Sequence, residues 1–153
     1  MKKISSFQAD HTKIKPGIYL ARIDGDIRTY DLRTRTPNAG DYMSHLTMHS
    51  VEHMLATFLR NSEAADRVIY FGPMGCQTGF YLLMRDTNDE EVISLVKKVL
   101  KQTVEHTGDV FGNTVIECGN YQNLSIESAK EEAWKYLQTI EDISAVAQYE
   151  NAE

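Results

Sequence analysis

The chain has few cysteines and no long apolar run. Its 153 residues include two cysteines, Cys76 and Cys118, which excludes a framework of several disulfides and allows at most one. Free buried cysteine is the ordinary alternative, but metal-binding or catalytic cysteines are common in cytosolic chains of this size. No stretch approaches the roughly 20 apolar residues that cross a membrane, and no apolar signal-peptide segment follows Lys2 and Lys3. We therefore expect a cytoplasmic protein with no membrane partner.

Positive charge is also scarce. The chain has 16 Lys and Arg against 22 Asp and Glu, a net charge of −6, and its pI is about 5.4. Because no run of Lys or Arg could neutralise phosphates, a nucleic-acid partner is not expected. The content of 42% hydrophobic and 25% charged residues is typical of a soluble protein, and the length predicts one domain over residues 1–153. Residues 149–153 are expected to form a frayed acidic tail.

A His-x-x-Glu-His pentad is the most informative local pattern. His49 and His53 are four residues apart, so on a helix they lie one above the other and could bind one metal ion. Glu52 is placed beside that ion, where a carboxylate can act as a general base. The order of the residues is the inverse of the commoner His-Glu-x-x-His signature. The pattern predicts a metalloenzyme.

The pentad alone is short enough to occur by chance, and its helical context strengthens it. Ser44 can cap a helix over about residues 44–61, and apolar residues recur at helical spacing along it. His45 lies one further turn before His49 and could be a spare ligand. We expect it to be a partly solvated neighbour instead, because three collinear histidines cannot all reach one ion.

The remaining pattern predicts an α+β fold, with an antiparallel sheet of about four strands and helices packed on one face. Asp24-Gly25-Asp26 is a tight-turn signal between two apolar runs and predicts a hairpin. A capping box predicts that the second helix begins at Thr87, with Glu90 three residues later. The predicted strands cover residues 17–23, 27–33, 68–71 and 79–84, and the third helix covers residues 126–140.

A catalytic metal site usually has three protein ligands and one open position. Cys118 is the best candidate for the third ligand, as a soft donor ahead of the last helix. Cys76 lies among glycines that allow the backbone to turn sharply. A thiol near a cation has a lowered pKa and can carry protons or act as a nucleophile.

These residues together resemble the S-ribosylhomocysteine lyase family, the LuxS quorum-sensing enzymes. The likeness runs in order along nearly the whole chain. It comprises Ser6-Phe7 with Asp10-His11, Asp31-Leu32-Arg33 with Pro37-Asn38, the pentad at residues 49–53, Pro73-Met74-Gly75-Cys76-Gln77-Thr78-Gly79, and Cys118-Gly119-Asn120-Tyr121.

The resemblance implies a homodimer whose two active sites lie at the subunit interface, each assembled from both chains. It implies that three residues hold one divalent metal per subunit, with Fe(II) as the native ion and Zn(II) or Co(II) able to replace it; the ligands are His49, His53 and Cys118. It also implies that Glu52 and Cys76 are the two acid/base groups. The positions that match substrate-binding residues from the partner subunit are Ser6, His11 and Arg33.

The implied reaction cleaves the thioether of S-ribosylhomocysteine to homocysteine and 4,5-dihydroxy-2,3-pentanedione, the precursor of autoinducer-2 and a link to methionine metabolism. One segment departs from the family: Tyr70-Phe71-Gly72 stands where known members have Asp-Ile-Ser. Recognition of the amino-acid end of the substrate is therefore expected to differ, whereas the metal and proton-transfer residues are unaffected.

The residues themselves leave two other functions open. A zinc metallopeptidase would also use His-x-x-Glu-His, although it would usually require a carboxylate as third ligand and would give Cys76 no role. A non-catalytic, metal-stabilised binding module would normally have four protein ligands. For the pocket residues, ordinary structural roles are the alternatives: a cap at Ser6, a surface histidine at His11, and a solvated ion pair of Arg33 with Asp31 or Asp41.

Overall fold

The computed structural model describes residues 1–150. Its centre is a five-stranded sheet in the order β3-β4-β2-β1-β5. The strands are β1 (Gly17–Asp24), β2 (Ile27–Arg33), β3 (Val68–Pro73), β4 (Gly79–Arg85) and β5 (Ala147–Gln148). The four predicted strands are confirmed and pair in antiparallel fashion. The short β5 is an addition to the prediction, and it runs parallel to β1, so the sheet is mixed.

Two glycines fix how the central strands meet. Gly25, with φ of 61°, occupies the turn of the predicted β1–β2 hairpin, where a left-handed residue matches the twist of the strands. Gly79 pairs with Arg33 at the start of β4. A Cβ at position 79 would lie 2.6 Å from the backbone oxygen of Leu32, so only glycine allows the two strands to approach this closely.

The three helices begin at side-chain caps. Helix α1 spans His45–Arg60, α2 spans Asp89–Glu105 and α3 spans Ile126–Ile140. Ser44 caps α1 as predicted, accepting a hydrogen bond from the Thr47 amide. The predicted start of α2 at Thr87 is wrong: Asn88 is the cap, because its amide oxygen accepts from the Glu91 amide at 2.9 Å and satisfies a free N–H of the first turn.

The helices pack on one face of the sheet, as predicted. Tyr30 and Leu32 of β2 point into the core with the apolar faces of all three helices. Alternate residues of a strand point to opposite faces, so Asp31 and Arg33 lie on the other side. Both are nevertheless buried, with 0% and 2% of their surfaces exposed. The second face of the sheet therefore contains a buried polar cluster and not simply solvated side chains.

The chain end is more ordered than the predicted frayed tail. The Tyr149 hydroxyl donates to Asp31 at 2.5 Å, and the Tyr149 ring stacks on Tyr19 at 5.3 Å. The carbonyl of Glu150 accepts a bond from the Asp10 amide at 2.8 Å. Tyr149 and Glu150 thus contact the body of the domain, and residues 151–153 of the predicted tail lie outside the described part of the chain. Within residues 1–150, no helix has the length and apolarity that a bilayer crossing requires.

Candidate active site

Helix α1 and the loop before α3 bring three metal-binding side chains together. His49, His53 and Cys118 each offer one donor atom, and these atoms all lie within 4.8 Å of one another. The two histidine rings are 4.6 Å apart and nearly perpendicular, as expected for residues one helical turn apart. Cys118 Sγ lies 3.4 Å from His49 Nε2. The predicted metal ligands are thus adjacent in the fold.

Backbone carbonyls hold both imidazoles in one orientation. His49 Nδ1 lies 2.8 Å from the carbonyl of Asn123, and His53 Nδ1 lies 2.8 Å from the carbonyl of Phe111. A carbonyl oxygen only accepts, so each Nδ1 carries a proton, and Nε2 is the nitrogen of each ring that can offer a lone pair to a metal. Ligating histidines in proteins are typically supported in this way. The arrangement fits a metal bound through Nε2.

The loop between α2 and α3 is shaped around these ligands. Gly112 has φ of +69°, and a Cβ there would lie 3.2 Å from His53 Nδ1, so glycine is needed both for the backbone turn and for the contact. The Asn120 amide donates to Cys118 Sγ at 3.4 Å. An N–H directed at sulfur stabilises the thiolate, which is the form that binds metals.

The donor set suits a four-coordinate ion with an open position. Two donors at about 2.0 and 2.3 Å from one tetrahedral ion lie roughly 3.5 Å apart, close to the 3.4 Å between His49 Nε2 and Cys118 Sγ. His45 does not join them: it is exposed, which confirms the prediction of a solvated neighbour, and its Nδ1 lies 2.6 Å from the side-chain nitrogen of Asn123. Among residues 1–150, the cluster has three members.

Glu52 and His53 line a cavity of about 350 Å³. Its other walls include Arg60 near the end of α1, Phe111 from the loop and Tyr70 from β3. Glu52 is half-buried and lines the cavity beside His53, one of the metal-binding residues. Of the three metal-binding residues only His53 lines this cavity, so a substrate in it would lie beside one metal ligand and a carboxylate that can act as a base.

Tyr70 and Gly72, two of the positions expected to differ from the family, are in direct contact. The Tyr70 ring lies across Gly72, where any Cβ would collide with it. The small residue thus makes room for the large one two positions earlier on β3. Tyr70 is half exposed and lines both the Glu52 cavity and a second cavity of about 490 Å³ on the sheet face.

Cys76 belongs to a different cluster, built around the buried Arg33. Cys76 Sγ lies 3.0 Å from the Thr78 hydroxyl, which accepts from Arg33 Nη1 at 2.8 Å. Arg33 also donates through Nε and Nη2 to both oxygens of Asp31, at 3.0 and 2.5 Å. Burial lowers the pKa of Arg33, but the hydrogen bonds and charge of Asp31 outweigh it and raise the pKa overall. The guanidinium is a permanent cation two hydrogen bonds from the thiol.

The other predicted pocket residues are divided between two cavities. His11 lines a cavity of about 310 Å³ together with Cys76. Ser6 lines the 490 Å³ cavity on the sheet face, with Tyr81 and Tyr149. Arg33 does pair with Asp31, yet the pair is buried, not solvated, and Asp41 pairs with Arg35. The cavity of Glu52 and that of Cys76 have no lining residue in common.

Sequence reasoning missed several residues that support the site. Phe111 and Asn123 act through backbone carbonyls, which leave no trace in residue type. Thr78 stands inside the quoted Pro-Met-Gly-Cys-Gln-Thr-Gly segment, and its place two residues after Cys76 was the available signal. The contact of Tyr149 with Asp31 could not be predicted, because nothing in the acidic chain end indicates a buried partner.

Comparisons with known proteins agree with this geometry. The family described as S-Ribosylhomocysteinase (LuxS) matches residues 4–146. The chain is 43% identical to the S-ribosylhomocysteine lyase of Desulfotalea psychrophila over 148 residues, covering 93% of each chain. It is 42% identical to that of Finegoldia magna, covering 94% of each, and 40% identical to that of Borreliella burgdorferi, covering 94% of this chain and 95% of the other. The chain belongs to the S-ribosylhomocysteinase (LuxS) family.

Proposed function

We propose that the protein is a metal-dependent carbon–sulfur lyase that cleaves S-ribosylhomocysteine to homocysteine and 4,5-dihydroxy-2,3-pentanedione, the autoinducer-2 precursor of quorum sensing. The observation that carries this proposal is the His49, His53 and Cys118 cluster beside Glu52, in a chain that matches the family over residues 4–146. The relatives at 37–43% identity are named S-ribosylhomocysteine lyase.

The substrate dictates what the site must do. Its sulfur is bonded to C5 of the sugar, and no neighbouring group stabilises a carbanion at C4. Moving the carbonyl from C1 to C2 and then to C3 makes the C4 proton acidic. Removal of that proton then breaks the C5–S bond, whose electron pair leaves on sulfur as homocysteine. Each carbonyl shift removes a proton beside a carbonyl and creates enediolate charge.

His49, His53 and Cys118 would hold one divalent ion, with Fe(II) as the native metal and Zn(II) or Co(II) able to replace it. Imidazole and thiolate donors suit all three ions. When bound, the ion supplies Lewis-acid stabilisation of the enediolate charge. The chain contributes oriented imidazoles and the Asn120 amide, which stabilises the Cys118 thiolate.

Two bases on different sides of the sugar would move its protons. Glu52 can take a proton from one carbon and return it to the neighbouring carbon, because its carboxylate lines the cavity beside His53. Cys76 as thiolate can remove the proton at another carbon, with Arg33 as the nearby cation. Each group of this kind contributes about 10²–10⁴-fold in rate.

The division of these bases between two clusters supports an active site assembled from two subunits. Within one chain, Glu52 and Cys76 line cavities that share no residue. The segments that carry Ser6 and Cys118 also present exposed apolar side chains, which a partner subunit would bury; they are Ile4, Phe7, Val115 and Ile116. We therefore assign the metal and Glu52 to one subunit, and Cys76 with Ser6, His11 and Arg33 to its partner.

The donor set disfavours the two alternatives. A metallopeptidase of the thermolysin type uses two histidines and a carboxylate, whereas the third donor here is a thiol. A structural zinc site would be closed by a fourth protein ligand, and the cluster within residues 1–150 has three members. A thiolate base and Fe(II) both require reducing conditions, and both cysteines are free, which supports a cytoplasmic location.

An anaerobic assay tests this function. Protein reconstituted with Fe(II) is mixed with S-ribosylhomocysteine, and free thiol is measured over time. We expect steady thiol release, and a decrease of about 10²–10⁴-fold in Glu52→Gln with the bound metal unchanged. Thiol release no faster than that of Glu52→Gln would contradict the proposed function.

A further inference from the structure

Thr78 lies between the thiol and the buried cation. Its hydroxyl oxygen is 3.0 Å from Cys76 Sγ and 2.8 Å from Arg33 Nη1. Thr78 is only 2% exposed, so its hydroxyl is shielded from water, whereas Cys76 itself is exposed. The proposed mechanism uses Cys76 and Arg33 but gives no role to the hydroxyl that joins them.

Donor chemistry fixes the direction of the hydrogen bond with Arg33, and it fixes that of the bond with Cys76 when the sulfur is a thiolate. A guanidinium can only donate, so the Thr78 oxygen accepts from Arg33. The hydroxyl still has its own proton, and the sulfur of Cys76 is the acceptor within reach. A hydrogen bond to a charged acceptor is stronger than one to a neutral group. Thr78 is thus arranged to favour the thiolate form of Cys76.

Arg33 is fixed from its other side, so Nη1 cannot turn away from Thr78. Nε and Nη2 are both bonded to Asp31, and Asp31 in turn accepts the Tyr149 hydroxyl. Burial, and then the carboxylate of Asp31, raise the pKa of Tyr149 far above its ordinary value. The phenol therefore stays protonated and remains a donor at every pH at which an enzyme works.

We propose that Thr78 is a positioning residue that transmits the charge of Arg33 to Cys76 and holds the sulfur as a thiolate ready to accept a substrate proton. The proposal rests on the acid/base role proposed above for Cys76. It predicts that removal of one buried hydroxyl shifts the pH at which Cys76 becomes reactive.

The other titratable groups around Cys76 stay in place when Thr78 is changed. His11 and Tyr42 line the same cavity, and Arg33 and Tyr81 lie close enough to Cys76 to be affected by its charge when the thiol ionises. All four are common to wild type and variants. A change in the reactivity profile therefore reports the hydroxyl itself.

The test measures the rate of iodoacetamide alkylation of Cys76 against pH in the metal-loaded protein, with the adduct at Cys76 quantified by peptide mass spectrometry. Thr78→Val keeps the shape and removes the hydroxyl, whereas Thr78→Ser keeps the hydroxyl. Thr103→Val is the matched control, because Thr103 is also buried but bonds to Val99 within α2.

We expect the pH of half-maximal alkylation to rise by about one unit in Thr78→Val. At pH values below this midpoint, the thiolate fraction of Cys76 would then be about tenfold smaller than in the wild type. Thr78→Ser and Thr103→Val should keep the wild-type profile. An unshifted Thr78→Val profile in folded protein, or an equal shift in Thr103→Val, would overturn the proposal. If Thr78→Val does not fold, Thr78→Ala takes its place under the same criteria.

The alkylation profile does not depend on turnover, so the two proposals fail separately. If Cys76→Ser retains full lyase activity, the proposed role of Cys76 is wrong whatever Thr78 does. If Cys76→Ser is inactive and the Thr78→Val profile is unshifted, only the role of Thr78 is wrong. If the proposed roles of Cys76 and Thr78 are both correct, the acidic limb of the pH dependence of kcat should shift in Thr78→Val by the same amount as the alkylation profile.

Discussion

Cys118 Sγ lies 3.4 Å from His49 Nε2, although 69 residues separate them along the chain. The helix supplies His49 and His53 through its own periodicity, but the thiol reaches them only because the loop between α2 and α3 folds back over α1. Hydrogen bonds from the two imidazoles to the backbone carbonyls of Phe111 and Asn123 hold that loop in place. The same two hydrogen bonds orient the histidine ligands and anchor the loop that supplies the third ligand, Cys118.

The two cysteines should behave differently toward metal. Cys118→Ser replaces a soft thiolate with a hydroxyl that does not ionise at neutral pH, so metal affinity should fall by more than the roughly 10–100-fold that loss of a supporting partner costs. Cys76→Ser is the matched control and should retain its metal. Metal per subunit after gel filtration in a chelator distinguishes them; full retention by Cys118→Ser would exclude Cys118 as a ligand.

Gly112→Ala should weaken metal binding by roughly 10–100-fold, because a methyl group there would press on His53 Nδ1 and displace the neighbouring Phe111 carbonyl. Gly25→Ala has a similar backbone strain, with φ of +61°, but no atom within 4 Å of the added methyl. Both should lose about 1–3 kcal/mol of stability. Titration of the apo proteins with Zn(II) separates the two effects: equal affinities would show that the Gly112 contact does not support the site.

Tyr149 should make the fold sensitive to alkaline pH. Its pKa is raised above the ordinary tyrosine value of about 10 by burial and then by Asp31, so the folded state keeps the phenol proton to higher pH than the unfolded chain does. Its contribution to stability is complete below pH 10 and decreases above it, by at most about 1.4 kcal/mol per pH unit. When measured by urea unfolding between pH 8 and 11, the free energy of unfolding should decrease less steeply with pH in Tyr149→Phe than in the wild type. An equally steep decrease in the two proteins would contradict this, because it would mean that the pKa of the Tyr149 phenol is the same in the folded and unfolded states.

The features that could be predicted from the sequence depend on neighbours within a few residues. Ser44 caps α1, Gly25 turns the hairpin, and α3 spans the predicted residues, because each signal acts within one turn or one strand end. The histidine pair follows from helical spacing in the same way. Such features need no knowledge of the rest of the fold.

The features that were missed depend on distant backbone atoms and on burial. Asn88 displaced Thr87 as the cap of α2 although both residues are of capping type. The order of Tyr149 depends on Asp31, 118 residues earlier. The metal ligands were identified by residue type, but their orientation depends on carbonyls that any residue could supply. The burial of Arg33 likewise depends on its place in the sheet and not on the residues next to it in the sequence.

The central claim is that one active site uses Glu52 of one subunit and Cys76 of its partner. The most direct measurement mixes two variants, Glu52→Gln and Cys76→Ala, each expected to be inactive alone, after reversible dissociation and reassociation of the subunits. In a mixed dimer of two-fold symmetry, one site then has both defects and the other has none, so an equimolar mixture should recover about a quarter of wild-type thiol release. Reassociated mixed dimers with no more activity than either variant alone would contradict the claim, because Glu52 and Cys76 would then act within a single chain.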